Sequence, residues 1–264
     1  MRFASLFLEP RNGNAAKDRT ARKAASFAVA ILVLSIILFA SFAALHYQWN
    51  WEAAYRYRLK FLEGWLTTLK LSSVSFIFAF IIGSLSTLCG RARLLPLKYL
   101  SSLYVELIRG TPLLVQIFLF YYVIADAANV QNRYVVGVAI MAIFSGAYIS
   151  EILRAGIEGV GKSQLLSAKS IGFTEYQTFR YVIAPQALRS SLPALAGQTA
   201  NLIKDSSLLS IIAIGEFTLN AQEVNAITYS SFESFFPLAI GYLIITLPIM
   251  RLSRYIEDRL KFDT

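Results

Sequence analysis

The segment Gly156-Ile-Glu-Gly-Val-Gly-Lys162-Ser163 fits G-x-x-x-x-G-K-[ST], a pattern in which backbone amides and a helix N-terminus cradle phosphate. That chemistry needs a buried strand ahead of the loop. Here the preceding apolar run, Tyr134 to Leu153, has membrane length. The apolar stretch ending in Asp126 could mimic a magnesium-binding strand, but it precedes the loop and is itself membrane-like. ATP hydrolysis by this chain is therefore not expected. A second constellation is polar: Gln198, Asn201 and Asp205 are spaced i, i+3, i+7 and share one face of a helix, with Ser206 and Ser207 adding hydroxyls. An acidic group deep in a bilayer costs about 2.5–3.5 kcal/mol even on the lenient insertion scale, so it normally faces a bundle interior or a wet cavity. The face is expected to line a polar path. The competing reading is that Asp205 pairs with Lys204 or with an adjacent helix near the cytoplasmic end and holds the bundle together. One cysteine, Cys89, and one histidine, His46, leave no disulfide framework and no cysteine or histidine metal cluster, and both residues read as structural.

The elements that must hold these residues are membrane helices. Apolar residues make up 56% of the 264 positions and charged residues only 16%, against about 25% in water-soluble domains. Uncharged runs define about six spans: Ala24–Leu45; about Trp65 to Cys89, with Lys70 able to snorkel; about Tyr99 to Ala125, bent at Gly110-Thr111-Pro112; Tyr134–Leu153; Leu192–Phe217; and Phe235–Leu252, with Pro237 and Pro248. The first run is too long, and too poor in a small-residue cleavage pattern, for a signal peptide. The chain is expected to be all-α and polytopic, with a cytoplasmic segment over residues 1–23, an additional span over 24–45, an extracytoplasmic segment over 46–64, a core over 65–253 and a cytoplasmic tail over 254–264. No repeat of 20–50 residues is present.

The basic residues set the orientation. If the N-terminus is cytoplasmic, only Arg56, Arg58, Lys60 and Arg133 of the 25 lysines and arginines fall in outer segments. Lys70 and Lys204 lie in spans, and the rest are inside. Both termini are then cytoplasmic, and the net charge of +9 needs no nucleic acid to explain it.

The longest polar stretch, about 154–191, lies inside between the fourth and fifth spans. Ser163 to Ile171 is helix-compatible, and Gly172 supplies a positive φ at the stop. Thr174 and Gln177 match a capping box that starts a second helix, which carries Tyr176, Phe179, Arg180 and Ile183 and is expected to end at Pro185. Its apolar surface needs a cytoplasmic partner, or else the two helices lie on the bilayer surface.

Within this loop, Gln164-Leu-Leu-Ser-Ala-Lys-Ser-Ile-Gly172 and Gln177-Thr-Phe-Arg-Tyr-Val-Ile-Ala-Pro185-Gln-Ala-Leu-Arg189-Ser-Ser-Leu-Pro193 resemble the EAA loop of ATP-binding-cassette (ABC) importer permeases. They resemble in particular the polar amino-acid branch, the histidine, glutamine and arginine permeases. Val105-Glu-Leu-Ile-Arg-Gly-Thr-Pro-Leu-Leu-Val-Gln116, Ala147-Tyr-Ile-Ser-Glu-Ile-Leu-Arg154 and Lys204-Asp-Ser-Ser-Leu208 agree with it, so the likeness runs from about Trp65 to the end. Two features depart. Leu166 stands at the family's opening glutamate and Ser167 at its first alanine, so that only Ala168 and Gly172 keep the core pattern. The span at 24–45 is additional to the five usual in this branch.

The resemblance implies a multi-pass bacterial inner-membrane protein that binds no cofactor. ATP and magnesium would be held by a partner ATPase, which the loop would engage through Gln164, Ser167, Ala168, Gly172, Thr174, Gln177, Phe179, Arg180 and Pro185. A second permease copy or paralogue would complete the pore, and an extracytoplasmic amino-acid-binding protein would deliver substrate. The zwitterionic backbone of that substrate would meet Gln198, Asn201, Asp205, Ser206 and Ser207. The alternatives are an ion-gradient-driven secondary transporter, which usually shows an internal repeat, a membrane-anchored P-loop ATPase and a non-transporting assembly subunit.

Overall fold

The computed structural model describes residues 16–44 and 49–260, and all regular structure among them is helical. The basic segment ahead of residue 16, His46 and the last four residues lie outside the described residues. The chain forms two units, residues 1–49 and 50–264. In the first, α1 (Ala16–Ala44) carries the apolar stretch Ala25–Ser41.

The second unit holds α2 (Trp51–Arg56), α3 (Arg58–Gly90), α4 (Leu95–Gly110), α5 (Leu113–Leu119, continued by a π-helical turn Phe120–Ala125) and α6 (Arg133–Glu158). Then follow α7 (Lys162–Ser170), α8 (Glu175–Thr178), α9 (Ala184–Asp205), α10 (Phe217–Thr228) and α11 (Ser231–Leu260). Among the described residues, Arg58–Gly90, Arg133–Glu158 and Ser231–Arg259 are each long and apolar enough to cross a bilayer. The pair Leu95–Gly110 and Leu113–Ala125 makes a further span if its halves are counted together. The two halves meet at 108°, much more than a proline kink. Thr111 (φ −122°, ψ 145°) is extended because the ring of Pro112 excludes the preceding residue from the helical region, and Pro112 (φ −62°, ψ 138°) is extended as well.

The centre of the bundle is α6. Ile140, Met141 and Ala147 are fully enclosed against Ile117 of α5, Leu71 of α3 and Leu202 of α9, with Leu209 and Ile214 beyond. In lipid there is no hydrophobic drive between helices, so close contact depends on small residues. The buried face of α3 follows that rule with Ser72, Ser75, Ala79, Gly83 and Ser86 at helical spacing. Opposite, α6 offers Ser145, Gly146 and Ser150. Large side chains such as Phe78, Leu85, Tyr122 and Ile244 point outward, as a lipid-facing or partner-facing surface requires.

The fifth expected span, Leu192–Phe217, is corrected by the structure. The helix reaches residue 184 without a break from Glu175, ends at Asp205, and gives way to a 3₁₀ segment Ser206–Ile212. Ala213 then turns left-handed (φ +56°), and Arg133 donates to its carbonyl at 2.7 Å. Beyond the turn, buried Glu216 caps α10 by accepting from the amides of Thr218 (2.9 Å) and Leu219 (2.8 Å). Tyr242 of α11 donates to the same carboxylate at 3.1 Å, so one acidic group ties α10 to α11.

Candidate functional site: a projecting loop and the polar network behind it

The end of α7 is fixed by Gly172, whose φ is +82°. The amide of Gly172 donates to the carbonyl of Lys169 (3.0 Å), and that of Phe173 donates to the carbonyl of Ala168 (3.1 Å). This is the paired bonding of a Schellman stop, and it favours a residue without a Cβ at the left-handed position. Two residues on, Thr174 accepts from the Gln177 amide (3.2 Å) while the Gln177 side chain accepts from the Thr174 amide (2.8 Å). Both halves of the expected capping box are present. The turn between the helices is therefore rigid.

The second helix does not end at Pro185. It runs from Glu175 through a π-helical turn, Phe179–Ile183, directly into α9, with Pro185 in the first turn of α9. Pro185 cannot donate to the Tyr181 carbonyl, and its ring would press on that carbonyl in an unbroken α-helix. The wider turn, in which the Ala184 amide donates to the Phe179 carbonyl, relieves that clash. Gln186 donates its side-chain amide to the Val182 carbonyl at 3.0 Å. The loop is thus bolted onto a bundle helix rather than hinged from it.

Of the loop residues, Ala168 is buried and Phe179 half-buried, while Gln164, Ser167, Gly172, Thr174, Gln177, Arg180 and Pro185 are exposed. Arg180 donates to the Tyr176 hydroxyl (3.0 Å). Leu166 (64% exposed), Ile171 (71%) and Tyr176 (65%) are apolar side chains of the loop that nothing among the described residues covers. The phosphate-cradle pattern dissolves here, because Gly156 lies inside α6. A Cβ on it would collide with the Ser191 hydroxyl and stand 2.8 Å from the Ala187 carbonyl. Gly156 serves helix packing between α6 and α9.

Behind the loop lies a charged relay that the motifs contain but that pattern reading assigns no role. Arg154 of α6 binds Glu151 through Nε (2.8 Å) and Glu158 through its NH1 nitrogen (2.9 Å), while Arg109, one residue before the end of α4, binds Glu151 (2.8 Å). Glu151 and Arg154 also form the wall between two cavities. The first, about 870 Å³, reaches Gln164 of α7 and Gln186 of α9; the second, about 670 Å³, lies against α3 and α4. At the break itself, the Gln116 side chain donates to the carbonyls of Ile108 (2.7 Å) and Thr111 (3.1 Å) and to the Thr111 hydroxyl (2.8 Å). Its spacing from Pro112 is the only sequence signal of this role.

The polar stripe of α9 is divided by its surroundings. Gln198 is buried and donates to Ser145 of α6 (3.0 Å), and Ser206 is enclosed and donates to the Ile203 carbonyl (2.8 Å). These two side chains turn into the subunit and are spent on packing it. Asn201 is exposed, and Asp205 and Ser207 are half-buried. Asp205 makes no ion pair or side-chain hydrogen bond among the described residues, with Lys204 or with any neighbouring helix.

A bundle with several helices long and apolar enough to cross a bilayer, and a loop with exposed apolar side chains at one end, defines a class of helical membrane protein. Residues 79–262 match the family of binding-protein-dependent transport system inner membrane components, and the chain belongs to that family. It is 33% identical over 201 residues to the probable glutamine ABC transporter permease protein GlnM of Bacillus subtilis, covering 76% of this chain and 93% of that one. To the glutamine transport system permease protein GlnP of Escherichia coli K12 it is 33% identical over 219 residues, with 81% and 99% covered. The crystal structure of an amino acid ABC transporter with histidines superposes with a TM-score of 0.76 at 34% identity, covering 81% of this chain and all of that one. An inward-facing MetNI methionine ABC transporter shares the fold, with a TM-score of 0.65 at 16% identity over 78% of this chain.

Proposed function

We propose that this chain is the permease subunit of an ABC importer for polar amino acids, and that a separate ATPase subunit hydrolyses ATP with its magnesium. The observation that carries the reading is the set of exposed apolar side chains, Leu166, Ile171 and Tyr176, on a loop whose turn is locked by Gly172 and Thr174. A rigid handle with uncovered apolar side chains suits a force-bearing partner better than a membrane surface, because two stiff caps serve no purpose in lipid. The basic residues favour placing that handle in the cytoplasm.

Movement of the handle passes into α9, because helix runs without interruption from Glu175 to Asp205, while the Arg154–Glu151–Arg109 relay couples α6 to the end of α4 beside the α4–α5 break. A second permease copy or paralogue completes the pore, and an extracytoplasmic binding protein delivers the amino acid. Asn201 and the unpaired Asp205 face the path, with Asp205 placed to meet the ammonium group of a zwitterion. Gln198 and Ser206 shape that wall from behind.

The test is reconstitution into vesicles with the co-purifying ATPase and binding protein. Uptake that requires ATP and survives collapse of ion gradients supports the reading. Uptake that survives ATP depletion and collapses with the gradient establishes the secondary-transporter alternative.

A further inference from the structure

The cavity against α3 and α4 carries two cations, Arg91 and Lys98, that the relay described above leaves unused. Its lining includes Arg91, Lys98, Arg109 and Arg154 against Glu106, Glu151 and Glu158. Arg109 and Arg154 are held by Glu151 and Glu158. Glu106 accepts from Ser102 at 2.8 Å. The side chains of Arg91 and Lys98 form no ion pair and no hydrogen bond among the described residues, which leaves the cavity with one uncompensated positive charge.

Its floor is polar and already organised. Ser86 and Ser101 hydroxyls lie 2.9 Å apart, and Ser150 donates to Ser86 at 3.1 Å. The same two helices turn Leu85, Leu88, Leu95 and Leu103, each more than half exposed, to the outside. A polar, cationic cavity on helices clad in leucine fits a ligand with an anionic head and long apolar tails.

The cavity also lies at the loop end of the bundle, since Arg93 in the turn between α3 and α4 binds Glu175 at 2.6 Å. In the orientation proposed above this is the cytoplasmic leaflet, where anionic lipids attract basic residues. We infer that the cavity is a binding site for an anionic phospholipid, with the phosphodiester between Arg91 and Lys98 and the acyl chains along the leucines of α3 and α4. A singly charged phosphodiester matches the uncompensated charge. A choline headgroup carries its own ammonium and gains less.

The inference rests on the proposed orientation but not on transport, so it is tested by lipid retention, with uptake measured separately. The full-length chain, purified in its ATPase complex, is stripped of lipid and titrated with phosphatidylglycerol, phosphatidylcholine or inorganic phosphate, and bound adducts are counted by native mass spectrometry. The expected result is phosphatidylglycerol held in preference to phosphatidylcholine, with Arg91→Gln/Lys98→Gln weakening it roughly tenfold or more. The matched pair Arg56→Gln/Arg58→Gln, far from the cavity, should leave retention unchanged. In the unmodified complex, moderate salt should also weaken retention, a check that needs no variant. Equal retention of both lipids, or no effect of the Arg91/Lys98 pair, overturns the site. Displacement of phosphatidylglycerol by millimolar inorganic phosphate assigns the cavity to free phosphate and overturns the lipid.

Discussion

Gln116 reaches back across the break between α4 and α5 and donates to the carbonyl of Ile108, 2.7 Å away. One side chain thereby satisfies oxygens that two extended residues, one of them the proline, have stripped of helical partners. In a bilayer no water is available to do so, and an unsatisfied carbonyl is costly. The motif Glu106-Leu-Ile-Arg-Gly-Thr-Pro112…Gln116 is in this light one device: a helix breaker, the side chain that heals the break, and Arg109, which ties the broken end to α6.

Gln116→Leu keeps the size of the side chain and removes its donors. The expected cost is about 1–3 kcal/mol, read as a lower midpoint of thermal unfolding for the detergent-solubilised complex. An unchanged midpoint would show that the carbonyls find other partners.

Gly172→Val places a β-branched residue at φ +82°, a conformation that costs a residue with a Cβ about 1–2 kcal/mol or more. The α7 stop should loosen, and co-purification of the ATPase and coupled hydrolysis should both fall. Gly172→Asn, which tolerates the left-handed region, should retain most of both. Wild-type ATPase yield with normal coupling in the valine variant would remove Gly172 from the handle.

Glu151→Gln deletes the shared charge of the relay. Because Arg109 and Arg154 are 41% and 49% exposed, the loss of stability should be modest, below about 1 kcal/mol. The larger effect should be on coupling: ATP hydrolysis retained and uptake reduced, measured as the ratio of the two in vesicles. A ratio equal to that of the parent protein would mean that the relay is only structural.

Asp205→Asn preserves shape and removes charge at a half-buried position without a partner. Assembly should be unaffected and uptake impaired severalfold. Gln198→Leu should act oppositely, lowering thermal stability because its bond to Ser145 is lost, with a smaller effect on the uptake of folded protein.

Local rules were legible in the sequence where a residue type forces one backbone outcome. Gly172 and the Thr174–Gln177 box are such cases, because positive φ and reciprocal capping are decided within four residues. Long apolar runs likewise located α3, α6 and α11, since bilayer thickness fixes their length. Pro185 misled because its effect depends on whether the helix can widen by one residue, and nothing in the sequence announces a π-helical turn. The stripe of Gln198, Asn201 and Asp205 was only partly legible, for a different reason. Helical periodicity places three residues on one face, but not which neighbour covers each of them. Gln198 meets Ser145 of α6, whereas Asn201 stays open. The relay joining Arg109 to Glu151 was illegible because it connects positions 42 residues apart.

The handle is tested most directly by covalent capture. Cys89, the single native cysteine, is replaced by serine, and one cysteine is introduced as Leu166→Cys or, on α2 away from the loop, as Arg56→Cys. Each variant is cross-linked in native membranes with a short thiol-to-amine reagent, and the captured chain is identified by mass. The account predicts that the Leu166 variant captures a nucleotide-hydrolysing subunit, with a yield that changes when ATP is added, and that the Arg56 variant does not. Capture of that subunit from position 56, or of lipid and no ATPase from position 166, would contradict it.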